Sequence, residues 1–146
     1  MEAETRRAQL SAEIKNRTGN DEAMIRALVT TFYAQVRKDP LIGPIFETKI
    51  GDWGHHMGKL CAFWSSVVLM TGRYHGQPMQ AHLCLPVESK HFARWLEIFE
   101  MTARDTCPSK AADVFIDRAR RIADSLELGI ATRRGEIKTP RFCGHF

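Results

Sequence analysis

The sequence predicts an all-α domain. Apolar residues recur at i, i+3, i+4 and i+7 in successive stretches, and capping or breaking residues fall at the ends of those stretches. No stretch carries a convincing strand pattern, although Ser65 to Met70 has a β-like bias. With 146 residues, 44% hydrophobic and 26% charged, the chain is the size of one globular domain with one core.

Residues 1–20 form a polar N-terminal extension with weak helical potential around Leu10 and Ile14. Asn20 or Asp21 can cap a helix whose stripe is Ile25, Leu28, Val29, Phe32, Tyr33 and Val36. Asp39-Pro40 ends it, because a residue before proline is pushed out of the α region. The segment from Pro40 to Phe46 is short and broken, and a tight turn or 3₁₀ segment suits it. Asp52 then caps a helix bearing Trp53, His56, Met57, Leu60, Phe63, Trp64 and Val67, which ends near Gly72. Residues 72–78 read as loop, and a short helical turn carries Met79 to Leu83 before Pro86. Ser89 starts a helix with Phe92, Trp95, Leu96 and Phe99 on one face. Pro108-Ser109 opens the last, with Phe115, Ala119, Ile122 and Leu126 inside and Gly129 as its stop. The domain proper thus spans 21–130, and 131–146 is a polar, basic, mobile tail.

The net charge of +4 comes from scattered basic residues without a nucleic-acid-binding signature, so a solvated surface is expected. The N-terminus lacks the apolar run of a secretory signal, and no stretch approaches ~18 consecutive apolar residues. A cytoplasmic protein without membrane contact is expected. Cys61, Cys84, Cys107 and Cys143 are widely spaced, with no C-x-x-C, which disfavours zinc ribbons, thioredoxin-like chemistry and covalent haem attachment. They read as free thiols, with Cys61 in the core. No glycine-rich phosphate loop and no flavin or nicotinamide fingerprint is present.

Two histidines on aromatic-rich helical stretches carry the chemistry. His82, on the short apolar turn, has the setting of an axial ligand for haem iron; the ordinary alternative is a loop histidine bonded to backbone. His56 shares a helical face with Met57, Leu60, Phe63 and Trp64, where a satisfied core histidine is the ordinary alternative. From His56 to Met70 is 14 residues, about 21 Å of helix at ~1.5 Å per residue. The loop at 72–78 can then return the chain beneath that helix, leaving room for a flat macrocycle between His56 and His82. His55, rotated by ~100°, points away. Tyr33 can donate across such a cavity through its phenol, and Trp95 through an indole N–H that only donates; both can equally be core aromatics. Phe46 can press on the ring edge. Lys59 reads either as an exposed lysine or as a partner for a haem propionate.

These residues together resemble the truncated haemoglobins, specifically the bacterial group III (P) class. The resemblance runs from about Ile25 to Leu128. It rests on Phe32-Tyr33, Asp39-Pro40-Leu-Ile-Gly-Pro-Ile-Phe46, Trp53-Gly-His55-His56 through Phe63-Trp64, Tyr74-His-Gly76-Gln-Pro78, His82-Leu-Cys-Leu-Pro86 and Phe92-Ala-Arg-Trp95-Leu. It implies a truncated globin fold, a 2-on-2 helical sandwich around non-covalent haem b. Carried over by position, His82 is the proximal iron ligand and the metal-binding residue, and His56 the distal histidine. Tyr33 and Trp95 are polar distal residues, Leu60 the apolar distal wall and Phe46 the ring-packing phenylalanine. The chain lacks the paired-glycine motifs of the other groups, as group III members typically do. The tail after Gly129 and Cys84 have no role in the resemblance.

Reversible dioxygen binding is the function the resemblance implies, with CO and NO as further diatomic ligands and slow release better suited to chemistry or sensing than to transport. Three alternatives stand beside it. One is nitric oxide dioxygenase or peroxidase-like detoxification with an external reductase. Another is a bis-histidine globin for electron transfer or sensing, with His56 on the iron. The third is a small helical interaction module without haem, whose aromatics are only core. A monomer or weak dimer is expected.

Overall fold

The stripe expected on residues 25–36 is the spine of the molecule: Ile25, Leu28, Val29, Phe32, Tyr33 and Val36 are all buried on one helix. The computed structural model describes residues 2–74 and 87–135, the last three as backbone alone. In these it has α1 (Glu2–Thr18), α2 (Glu22–Lys38), α3 (Gly43–Lys49), α4 (Trp53–Leu69), α5 (Ser89–Thr106) and α6 (Ser109–Gly135), and no strand among the described residues. Helix α2 packs on α4, and α5 on α6. Because α2 also lies against α5 and α4 against α6, two helix pairs face each other, and the apolar faces of all four close one core.

Local chemistry sets the helix ends where the sequence places them. The Asp21 carboxylate accepts the Met24 N–H at 2.8 Å, and Asp52 accepts the His55 N–H at 3.1 Å; each satisfies a donor with no intrahelical partner. Asp39 leaves the helical region (φ −71, ψ 128), as the following Pro40 requires. Pro44 does not break the chain. It stands in the first turn of α3, where its missing N–H is an orphan in any case, so an α-helix replaces the expected turn or 3₁₀ segment. At the start of α3, a Cβ on Gly43 would come within 2.8 Å of the Arg37 carbonyl oxygen. Glycine is what lets α3 dock on the end of α2, and α3 carries Phe46 to the site.

Asp39 does more than end a helix. Its buried carboxylate (side chain 3% exposed) receives Arg94 Nε of α5 at 2.7 Å and the Leu41 and Ile42 N–H groups, each at 3.0 Å. Burial alone would raise this carboxyl, but the Ile42 N–H, the Arg94 guanidinium and the Leu41 N–H outweigh it and hold it below the ordinary aspartate value. A carboxylate depressed in the folded state stabilises it above the unfolded pKa, near 3.9, and loses that contribution as pH falls through the lower folded value. Asp39→Asn is therefore expected to cost about 1–3 kcal/mol at pH 7. The gap between variant and wild type should narrow as pH falls through the lowered folded value, as read by chemical denaturation at pH 7 and across an acid series.

Three helix limits differ from expectation. The polar N-terminal segment, with weak helical potential in the sequence, is the full helix α1. It is anchored by buried Ile14 and by the Ser11 hydroxyl, which donates to the Leu69 carbonyl at 2.6 Å. Helix α4 stops at Leu69, before Gly72, because Met70 turns left-handed (φ 56); the β-like 65–69 stretch is helical. Gly129 does not stop α6, which continues to Gly135. Buried Ile130 packs with Val87, Ile45 and Phe92 beyond the glycine, and that burial outweighs the ~1 kcal/mol that glycine costs a helix. The expected helical turn at Met79–Leu83 and the tail from residue 136 lie outside the described residues. Cys61 and Cys107 are buried free thiols, and burial pushes the Cys107 thiol up to about 11.

Candidate functional site: a donor cluster in an aromatic wall

Helices α2, α4 and α5 bring three polar-tipped rings together. Tyr33, on the buried stripe of α2, is 5% exposed, and His56, one turn into α4, is 6% exposed. Their rings stand edge to face at 6.2 Å. The Trp95 indole of α5 stands near enough to the Tyr33 hydroxyl to favour its ionised form, though less than burial opposes it. An indole N–H only donates, so the phenolic O–H is left free to donate elsewhere.

The Tyr33 phenol is uncharged. Burial raises it far above its ordinary value, only partly opposed by the Trp95 indole, so the hydroxyl keeps its proton and remains a donor throughout the physiological range. Apolar groups surround it. Phe46 of α3 sits 5.9 Å from the Tyr33 ring, and half-buried Leu60 and Phe63 continue the α4 face against the core.

An aromatic column fixes the indole. Trp95 stacks on Phe99 at 5.4 Å and 18°, Phe99 stacks on Trp64 at 5.1 Å and 21°, and Phe115 meets Trp64 at 5.9 Å. Phe32 closes edge-on against both Trp95 and Phe99. Offset stacks and T-shaped contacts of this kind are the favourable ring geometries.

Of the residues singled out in the sequence, Tyr33, Phe46, His56 and Trp95 converge. Leu60 lies one turn further along α4 at the edge of the cluster, Lys59 is exposed, and His55 is exposed as expected. His82 lies outside the described residues. Sequence reasoning missed Trp53 as a member of the cluster. Its ring stands 6.2 Å from Tyr33 and 5.9 Å from His56, and the Arg37 guanidinium lies 4.4 Å over its face. The signal was available, since Trp53 and His56 are three residues apart on one helix and share a face.

Two facing helix pairs with an imidazole, a phenol and an indole gathered in an apolar wall define a small helical protein of globin type. Comparison with known proteins agrees. The family model described as bacterial-like globin matches residues 15–127. The group 3 truncated hemoglobin of Campylobacter jejuni is 35% identical over 119 residues, covering 78% of this chain and 93% of that one. The crystal structure of the group III truncated hemoglobin from the same organism matches with a TM-score of 0.72 at 34% identity, over 76% of this chain and 91% of that one. The chain belongs to the bacterial-like globin family. Globins of this family bind haem b and, at its iron, small diatomic ligands.

The described residues suit that group. Haem needs a flat apolar surface and, on the ligand side, donors that do not carry charge into the site. The half-buried Phe46, Leu60 and Phe63 supply the first, and the uncharged Tyr33 phenol and Trp95 indole beside His56 supply the second. No helix among the described residues is long and apolar enough to cross a membrane.

Proposed function

We propose that this globin binds dioxygen reversibly and holds it through Tyr33, with His82 as the protein ligand of the haem iron. The observation that carries the reading is the buried Tyr33 phenol, kept protonated by that burial and standing edge to face with the His56 ring at 6.2 Å. Haem b, when bound, supplies the iron at which a diatomic ligand binds and gathers partial negative charge. The Tyr33 O–H donates to that charge, and Trp95 orients the phenol by occupying its oxygen. His56 stands at the same face as a second imidazole donor. Phe46 and Leu60 exclude water and pack the ring, and Lys59 on the outer surface of α4 pairs with a propionate. Dioxygen fits best among diatomic ligands because it gains most charge, and charge-assisted hydrogen bonds are the strong ones.

The assignment of His82 rests on the sequence resemblance and is tested directly. Purified, haem-reconstituted wild type should show a sharp Soret band in ferric, ferrous and CO-bound forms. His82→Gly should alter the ferrous and ferric spectra and recover toward wild type when imidazole is added. A spectrum indifferent to the substitution would overturn the assignment. Ferric spectra of His56→Leu separate the bis-histidine state, since only an iron-bound His56 would convert a low-spin spectrum to high-spin.

A further inference from the structure

The Trp53 indole N–H is buried and has no hydrogen-bond partner among the described residues, yet its ring touches both Tyr33 and His56. A buried donor without an acceptor is rare in native proteins and asks for a use. We propose that Trp53 is a further ligand-site residue of this globin, whose N–H is held ready for an oxygen acceptor that enters with the diatomic ligand. This inference rests on the dioxygen-binding reading and adds to it a donor from the start of α4.

The surroundings of the ring support such a role. Arg37 of α2 lies over the outer face of Trp53 at 4.4 Å, and its Nε donates to Glu47 Oε1 of α3 at 2.7 Å. The cation favours the electron-rich face of an indole, and its ion pair with Glu47 sets where the guanidinium lies. Ring, guanidinium and carboxylate thus tie α4, α2 and α3 together. Packing explains why the ring is there. It does not explain why the N–H end is the end that is buried, since an indole at a half-exposed position can turn its one polar atom to water at little cost.

The test is the infrared C–O stretch of the CO-bound, haem-loaded protein, which falls when a donor approaches the ligand oxygen. Trp53→Phe keeps an aromatic ring and removes the donor. The expected result is a C–O band moved to higher frequency, with dissociation of dioxygen about 2–10-fold faster. Arg37→Met, a surface change that leaves the fold intact, should broaden or split the band by releasing the ring while keeping its N–H. Tyr33→Phe is measured in parallel. If Tyr33→Phe moves the band and Trp53→Phe does not, the present proposal is overturned and the dioxygen reading stands. If neither moves it, the reading itself fails. A Trp53→Phe protein that is less stable but has an unmoved band assigns Trp53 to packing alone and also overturns the proposal.

Discussion

Tyr33→Phe is expected to speed dioxygen dissociation by one to two decades. The lost interaction is a hydrogen bond to an atom bearing partial charge, worth about 1.5–3 kcal/mol, and ~1.4 kcal/mol is tenfold. The place of Trp95 beside the phenol makes a sharper prediction than the single variant. With Trp95 proposed to orient the Tyr33 hydroxyl, Trp95→Phe acts through Tyr33. It should speed release less than Tyr33→Phe does, and the double variant should match Tyr33→Phe alone. Stopped-flow dissociation rates for the four proteins form a double-mutant cycle. Additive effects would mean that Trp95 reaches the ligand itself. Because burial keeps the phenol protonated, the wild-type rate should show no Tyr33 titration between pH 6 and about 10.

Phe99→Ala should be the most destabilising of the substitutions considered, at about 3–5 kcal/mol. Phe99 is 1% exposed and stacks on Trp95 and Trp64 at once, with Phe32 edge-on, so little can collapse into the space it leaves. For a chain of this size the melting temperature should fall by on the order of 10 °C, read by circular dichroism with haem loading held equal, since bound cofactor stabilises by mass action. Phe99→Leu is the informative companion. It keeps most of the buried volume but withdraws the face on which Trp95 lies. Dioxygen release should quicken in this variant even though residue 99 is a layer removed from the cluster. An unchanged rate would show that Phe32 alone suffices to hold the indole.

The apolar stripe of α2 and the caps at Asp21 and Asp52 were legible because each depends on neighbours within one or two helical turns. So was the stop before Pro40, which proline's ring imposes on the preceding residue whatever lies around it. The candidates Tyr33, His56 and Trp95 were legible for the same reason, being polar-tipped rings on otherwise apolar faces. Helix α1 and the run of α6 past Gly129 were not. Both are held by partners far away in the chain: Ser11 by the Leu69 carbonyl, and Ile130 by Val87 among others. The turn or 3₁₀ segment expected over Pro40 to Phe46 gives way to α3, because a proline breaks a helix in its interior but not in its first turn.

By itself, then, the sequence determined the all-α class, the order of the main helices, and which side chains carry donors suited to a small ligand. Those follow from periodicity and local sterics, which act over a few residues. Only the tertiary structure decided how the donors are connected. That Trp95 stands beside the Tyr33 hydroxyl, that Trp53 joins them with its N–H buried, and that Arg37 covers it from α2 all depend on the angles at which α2, α4 and α5 meet. Those angles are set by the packing of Phe32 of α2, Trp64 of α4 and Trp95 and Phe99 of α5, a solution that no single stretch of sequence contains.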